Sequence, residues 1–157
     1  MSSEMAFRDE VFWHMRTYAI AQARIGRRAW LYFFTHEPPT TPGQRNQHAV
    51  HTAEIPYVFN NLKAPRTYPD NSSPEIASKS KADVALADHV SSYWVNFAKT
   101  GDPNGKGLAK WPAFKAKATG KAMILGPQAD EPSAARMAMY DAMYERQMKN
   151  LRKPATN

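Results

Sequence analysis

Two histidines and a glutamate lie close together in the segment HAVHTAEIPYVF, residues 48 to 59. His48, His51 and Glu54 follow one another at intervals of three residues. A neutral imidazole can take a proton from a hydroxyl nucleophile, which makes His51 a candidate general base. The same three residues could instead hold zinc on one face of a helix. A third interpretation is that His51 is an ordinary surface histidine of a polar loop.

The zinc interpretation is the weakest of the three. Metal sites on helices favour tighter signatures such as His-Glu-x-x-His, and Pro56 interrupts the helix that the spacing would need. The chain has no cysteine, so it can form neither a thiolate metal site nor a disulfide. We therefore expect no metal and no cofactor, and the absence of cysteine leaves the cellular compartment open.

The composition is that of a folded domain. The chain has 157 residues, of which 43% are hydrophobic and 22% charged. Its net charge of +7 is spread in ones and twos without interleaved aromatic residues, so we expect no specific nucleic-acid binding. No stretch approaches the roughly 18 consecutive apolar residues of a membrane helix, and the opening MSSEMAFRDE lacks the pattern of a signal peptide. We expect no membrane span.

Hydrophobic periodicity and turn residues predict how the first half of the chain is organised. Thr52 is a possible cap for the segment that follows His51. The predicted elements are a helix over 9–25 that ends at Gly26, a strand buried on both faces within 29–35, a loop over 36–47, a short helical or turn segment after His51, and an irregular region over 63–75.

The second half of the chain has two helical patterns and one short strand. The pattern predicts a helix over 81–100 that ends at Gly101, a strand over 121–126 and a final helix over 130–151. The expected buried faces are Leu86, Val90, Tyr93 and Phe97, with Trp94 beside them, and Met137, Tyr140, Tyr144, Met148 and Leu151. Trp94 and Trp111 are expected to pack, and Asp102 and Asn104 to shape a turn. Helices combined with two buried strands indicate an α/β fold, and so small a sheet indicates part of a larger protein.

Two segments identify a family. The chain resembles the C-terminal portion of type B carboxylesterases, the α/β-hydrolase family that includes cholinesterases and para-nitrobenzyl esterases, in HTAEIPYVF and in SSYWVNFAKTGDPNGKGLAKWPAF. The matching residues of the second segment are Trp94, Asn96, Phe97, Gly101, Asp102, Pro103, Asn104, Trp111 and Pro112. The resemblance implies that residues 1–157 are the C-terminal segment of a carboxylesterase type B α/β-hydrolase domain. This segment would contain the last sheet strands and their flanking helices, and it would be incomplete on its own.

The resemblance also implies roles for the histidine segment. The family pattern Gly-Ala-x-His-x-x-Glu-Ile/Leu-Pro-Tyr-Val-Phe places the general base of a Ser-His-Glu/Asp triad at His51 and a supporting carboxylate at Glu54. His48 stands where the family usually has glycine. Because glycine tolerates backbone angles that histidine reaches only at a cost, this substitution is expected to affect how the loop bends.

The other parts of the esterase machinery do not occur in these residues. None of the nine serines lies in a Gly-x-Ser-x-Gly elbow, and the glycine run of the oxyanion hole is absent. We expect the isolated chain to be inactive and to need the N-terminal part of the fold. One hypothesis is that the chain is the C-terminal part of a serine carboxylesterase that acts on small carboxylic esters. The alternative is that it is a non-catalytic binding, assembly or vestigial module derived from such an enzyme.

Overall fold

The computed structural model describes residues 3–37, 48–63, 80–115, 121–128 and 131–151. The elements follow the order α1 (Ser3–Arg24), β1 (Tyr32–Phe34), α2 (Ile55–Val58), α3 (Lys81–Thr100), β2 (Met123–Leu125) and α4 (Ala134–Leu151). The predicted helices and strands are confirmed in type and place, and α1 begins earlier than its pattern indicated. Most of the loop predicted over 36–47 and of the irregular region over 63–75 lies outside the described residues.

The two strands form a parallel pair. Tyr32 lies opposite Met123, and Phe34 lies opposite Leu125. The side chains of β1 are half-buried rather than buried on both faces, because within the described residues each three-residue strand has only one neighbour. The prediction of full burial was therefore wrong for both strands: in β2, Leu125 is buried, but Met123 and Ile124 are half-buried.

A glycine lets the chain beyond β2 pass close to the end of β1. Gly126 has φ 131°, and a Cβ atom at this position would lie 2.5 Å from the backbone nitrogen of His36. The Thr35 amide also donates to the Leu125 carbonyl over 3.0 Å, which extends the pairing beyond the strands. The close approach therefore requires glycine, and it fixes the backbone at His36.

The chain divides into two units. The helical unit comprises Met1–Leu31, Ala113–Ala122 and Asp130–Asn157, and the sheet unit comprises Tyr32–Pro112 and Met123–Ala129. Among the described helices, none is long and apolar enough to cross a membrane.

In the helical unit, α1 packs against α4. Trp13 is buried and its indole nitrogen donates to Asp141 over 2.8 Å. Asp9 is fully buried and forms ion pairs with Arg8 and Arg136. The buried Trp13 indole nitrogen therefore has an acceptor, and the buried Asp9 carboxylate has cationic partners.

The buried face predicted for α4 is only partly correct. Met137 is buried and Tyr140 is half-buried, but Tyr144 is 48% exposed. The ring of Trp13 lies 5.8 Å from the ring of Tyr144, so the tyrosine packs with one edge and leaves the other in solvent. The seam with α1 covers a narrower stripe of α4 than its apolar pattern indicated.

Helix α3 forms the centre of the sheet unit. Its first turn is capped by Ser80, whose hydroxyl accepts from the amides of Ala82 and Asp83, and it ends at Gly101 in the left-handed conformation, φ 71°. Its buried residues are Asp83, Ala87, Val90 and Tyr93. Phe97, expected on this face, is 50% exposed, so the buried stripe lies nearer the start of the helix than predicted.

The turn beyond α3 is built by local side chains, as predicted. The Asp102 carboxylate accepts from the Asn104 amide over 2.9 Å, and the Asn104 side chain bonds both the nitrogen and the carbonyl of Trp111. Trp111 is buried, and its ring lies 5.2 Å from that of Tyr93 and 5.9 Å from that of Trp94. The predicted packing role of both tryptophans is confirmed.

Candidate functional site

His51 lies in a series of turns that leads directly into α2. Its side chain is exposed, whereas Ala53 and Tyr57 just beyond it are fully buried. The Ala53 amide donates to the Val50 carbonyl over 3.0 Å and the Tyr57 amide donates to the Glu54 carbonyl over 2.9 Å. Buried anchors and consecutive backbone hydrogen bonds thus hold a segment that presents an imidazole to solvent.

Left-handed backbone angles occur on both sides of His51. His48 has φ 57° and Thr52 has φ 74°. The value at His48 fits the expectation that this position, usually glycine in the family pattern, requires a conformation that histidine adopts only at a cost. Thr52 is not the cap of α2: the N-cap residue is Glu54, which makes no side-chain cap bond, so the capping prediction for Thr52 was wrong.

Glu54 is tethered to strand β1. The Tyr32 hydroxyl donates to the Glu54 carboxylate over 3.4 Å. Burial, together with the negative charge and the hydrogen bond of Glu54, raises the pKa of Tyr32 to about 12. The contact therefore links the histidine segment to the sheet through a phenol that stays protonated at ordinary pH.

His48 points its ring nitrogen at a different carboxylate. Its Nδ1 lies 3.1 Å from Glu37, and both side chains are exposed. Within the described part of the chain, no group of three histidine or acidic side chains is arranged to hold a metal ion. The exposed pair joins the histidine segment to the residues that follow β1, a weak contact because solvent screens it.

Asp83, His36 and Tyr57 form a cluster around a buried carboxylate that was not predicted from the sequence. Nε2 of His36 lies 2.6 Å from Oδ1 of Asp83, and the Tyr57 hydroxyl donates to the same oxygen over 2.7 Å. Asp83 is 3% exposed and Tyr57 fully buried. One signal could have found it: Asp83 shares a helical face with Ala87 and Val90, and a carboxylate on a buried face needs partners.

The His51 ring makes no hydrogen bond with any residue that the structure describes, and the residue is exposed. An imidazole can accept a proton from a hydroxyl and return it to a leaving group. The Glu54 carboxylate, by contrast, accepts from Tyr32.

The chain is similar to known proteins in both sequence and structure. The model of the carboxylesterase family matches residues 1–148. Para-nitrobenzyl esterase of Bacillus subtilis (strain 168) is 32% identical over 112 residues, which cover 68% of this chain and 20% of that protein. Neuroligin-3 of Mus musculus is 40% identical over 82 residues, which cover 52% of this chain and 9% of that protein.

A solved structure agrees with these sequence matches. The carboxylesterase of Geobacillus stearothermophilus at pH 6.8 aligns with a TM-score of 0.54 at 31% identity, covering 76% of this chain and 23% of that one. The predicted fold class is confirmed: helices and a small parallel sheet match part of an α/β-hydrolase. The chain thus spans about a quarter or less of the proteins named here, and it belongs to the carboxylesterase family.

Proposed function

We propose that this chain supplies the general base of a serine hydrolase that cleaves carboxylic esters, and that His51 is this base. The observation that carries the proposal is the exposed imidazole of His51 on a segment whose neighbours Ala53 and Tyr57 are fully buried. A base must be accessible to its substrate and yet held in one place. The family match over residues 1–148 supports the assignment.

In the proposed reaction, His51 takes the proton of a serine hydroxyl as that oxygen attacks the ester carbonyl. The resulting imidazolium then donates the proton to the departing alcohol, and the acyl group remains on the serine until water, activated by the same histidine, releases it. A Gly-x-Ser-x-Gly elbow does not occur in these 157 residues. The serine, the oxyanion-hole donors and the triad acid would be provided from outside this sequence.

Glu54 has a supporting role in this proposal. Its carboxylate accepts from Tyr32 on β1, and its carbonyl accepts from the amides of Tyr57 and Val58 at the start of α2. The residue therefore connects the turn that carries His51 both to the sheet and to the short helix. These contacts support the proposal that Glu54 is a positioning residue and does not act on the reacting atoms.

The substrate class proposed is a small carboxylic ester. Two of the similar proteins are named as esterases of this kind, para-nitrobenzyl esterase and carboxylesterase 5A of Canis lupus familiaris, the latter 34% identical over 93 residues. In this proposal, ester preference depends on pocket residues elsewhere in the enzyme.

The decisive experiment follows the native polypeptide. Mass spectrometry would detect the tryptic peptide NQHAVHTAEIPYVFNNLK, residues 46–63, in protein labelled with a fluorophosphonate probe. Within the labelled enzyme, His51→Ala is expected to lower kcat for a para-nitrophenyl ester by at least about 10⁴-fold. The matched control His48→Ala removes an imidazole three residues away and should change kcat less than about 10-fold.

Two results would overturn the proposal. One is a peptide found only in an unlabelled chain of 17.7 kDa, which would favour the non-catalytic module. The other is a His51→Ala enzyme that keeps the activity of the His48→Ala control.

A further inference from the structure

We infer that Asp83 is a positioning residue for His51: its buried carboxylate anchors α2 through Tyr57 and ties it to the end of β1 through His36. The inference rests on the proposed function for its catalytic consequence. The anchoring itself depends only on contacts within the sheet unit.

The anchor joins three elements at one atom. Oδ1 of Asp83, in the first turn of α3, accepts from the Tyr57 hydroxyl on α2 over 2.7 Å. The same oxygen lies 2.6 Å from Nε2 of His36, which follows β1 by two residues. These residues are 26 and 47 positions from Asp83 in sequence, so the contact depends on the tertiary fold.

Asp83 lies in the first turn of the 20-residue helix α3. The Ser80 hydroxyl accepts from the Asp83 amide, which keeps this turn in place. A carboxylate oxygen can accept two hydrogen bonds, so Oδ1 can bind the Tyr57 hydroxyl and Nε2 of His36 at the same time.

Helix α2 needs such an anchor because it has only four residues, Ile55–Val58. A helix this short is not stable by its own hydrogen bonds, so its position is set by packing. Tyr57 is the fully buried aromatic side chain of α2, and its ring lies 5.5 Å from that of Phe34 on β1. Loss of the hydroxyl contact would free the ring to shift between β1 and α3.

A shift of α2 would displace His51, because the backbone between them is hydrogen-bonded. Tyr57 lies six positions beyond His51, and the hydrogen bonds from Ala53 to Val50 and from Ile55 to Thr52 join the turns between them. Because displacement of a catalytic group by about 1 Å can cost about 100-fold in rate, small movement at Tyr57 is sufficient to affect catalysis.

The test uses two variants that weaken the anchor and one matched control. Tyr57→Phe removes the hydroxyl, and Asp83→Asn replaces one carboxylate oxygen by an amide nitrogen with little change of shape. The control is Tyr93→Phe: Tyr93 is also buried in the sheet unit, and its hydroxyl donates to the Ala109 carbonyl over 2.7 Å. Tyr57→Phe and Tyr93→Phe therefore lose the same group from similar burial.

Hydrogen exchange of the native polypeptide that contains these residues tests the anchor without reference to activity. Amides of residues 50–58 are expected to exchange about 10-fold faster in Tyr57→Phe and Asp83→Asn than in the wild-type chain, and at the wild-type rate in Tyr93→Phe. If exchange in this segment does not distinguish Tyr57→Phe from Tyr93→Phe, Asp83 does not anchor the histidine turn.

Kinetics of the labelled esterase test the catalytic consequence. Tyr57→Phe is expected to lower kcat by about 10- to 100-fold with KM within about twofold of wild type, while Tyr93→Phe changes neither. Faster exchange with unchanged kcat, in an enzyme that His51→Ala inactivates, would overturn the positioning role. An enzyme that His51→Ala leaves active would instead overturn the proposed function, and hydrogen exchange alone would then decide whether the anchor exists.

Discussion

Tyr32 makes the stability of the sheet unit depend on pH in the alkaline range. Burial, with help from Glu54, raises its pKa from 10.0 to about 12 in the folded protein. A group whose pKa is raised by folding contributes its full stability below the unfolded value, and this contribution disappears as the pH rises toward the folded value. The window for Tyr32 is therefore about pH 10 to 12.

The size of the effect follows from the shift. One pKa unit corresponds to about 1.4 kcal/mol, so two units set an upper limit of about 2.7 kcal/mol. Because Tyr32 is only half-buried, solvent screening reduces the expected contribution to about 1–1.5 kcal/mol. Between about pH 8 and pH 11, the wild-type free energy of unfolding should fall by about 1 kcal/mol more than that of Tyr32→Phe, which cannot ionise.

Urea unfolding followed by tryptophan fluorescence would measure this difference at both pH values. Subtracting the two proteins removes the titration of every other group they share. Tyr18→Phe is the matched control, since Tyr18 is 63% exposed, and it should lose stability in parallel with wild type. Equal losses of unfolding free energy in wild type and Tyr32→Phe would show that burial beside Glu54 does not raise the pKa of Tyr32.

Three further substitutions test local parts of the fold by the free energy of unfolding. Ser80→Ala should cost about 1 kcal/mol because two amides of α3 lose their acceptor. Ser92→Ala, which removes only a hydroxyl that donates to the Asp88 carbonyl, should cost less than about 0.5 kcal/mol, and equal losses would contradict the cap. Gly101→Ala should cost about 1 kcal/mol. The cost comes from the backbone angle φ 71° alone, because no atom lies within 4 Å of the added Cβ. An unchanged midpoint of urea unfolding would contradict the left-handed cap. Thr52→Asn should raise the free energy of unfolding by about 0.5–1 kcal/mol, because asparagine tolerates φ 74° better than a β-branched residue does. A lower free energy of unfolding would instead show that the threonine side chain stabilises the turn.

Local sequence signals predicted much of the fold. Periodic apolar residues located α3 over 81–100, and Gly101 ended it as a left-handed cap. Asp102 and Asn104 shape the following turn through bonds to backbone only a few residues away. Such features depend on residues close in sequence, which is why composition and spacing were sufficient.

The histidine segment was predicted in part. The family pattern identified His51 and Glu54 as candidate site residues. It also indicated that His48 stands where the family usually has glycine, and His48 has φ 57° in the structure. Thr52 was misassigned as a cap, because a cap residue has extended backbone angles and Thr52 is left-handed. The roles of His51 and Glu54 stay predictions until the labelled enzyme and its variants are measured.

The sequence by itself determined the family, the order of helices and strands, and the candidate base, because each rests on residue types at short spacing. Only the tertiary structure decided which faces are buried: Phe97 lies half in solvent, whereas Asp83 lies inside. It also brought His36 and Tyr57 to a single carboxylate oxygen from 47 and 26 residues away. No local pattern encodes such pairing, because the pairing depends on where the end of β1, the short α2 and the first turn of α3 meet. Packing of the whole sheet unit sets that position.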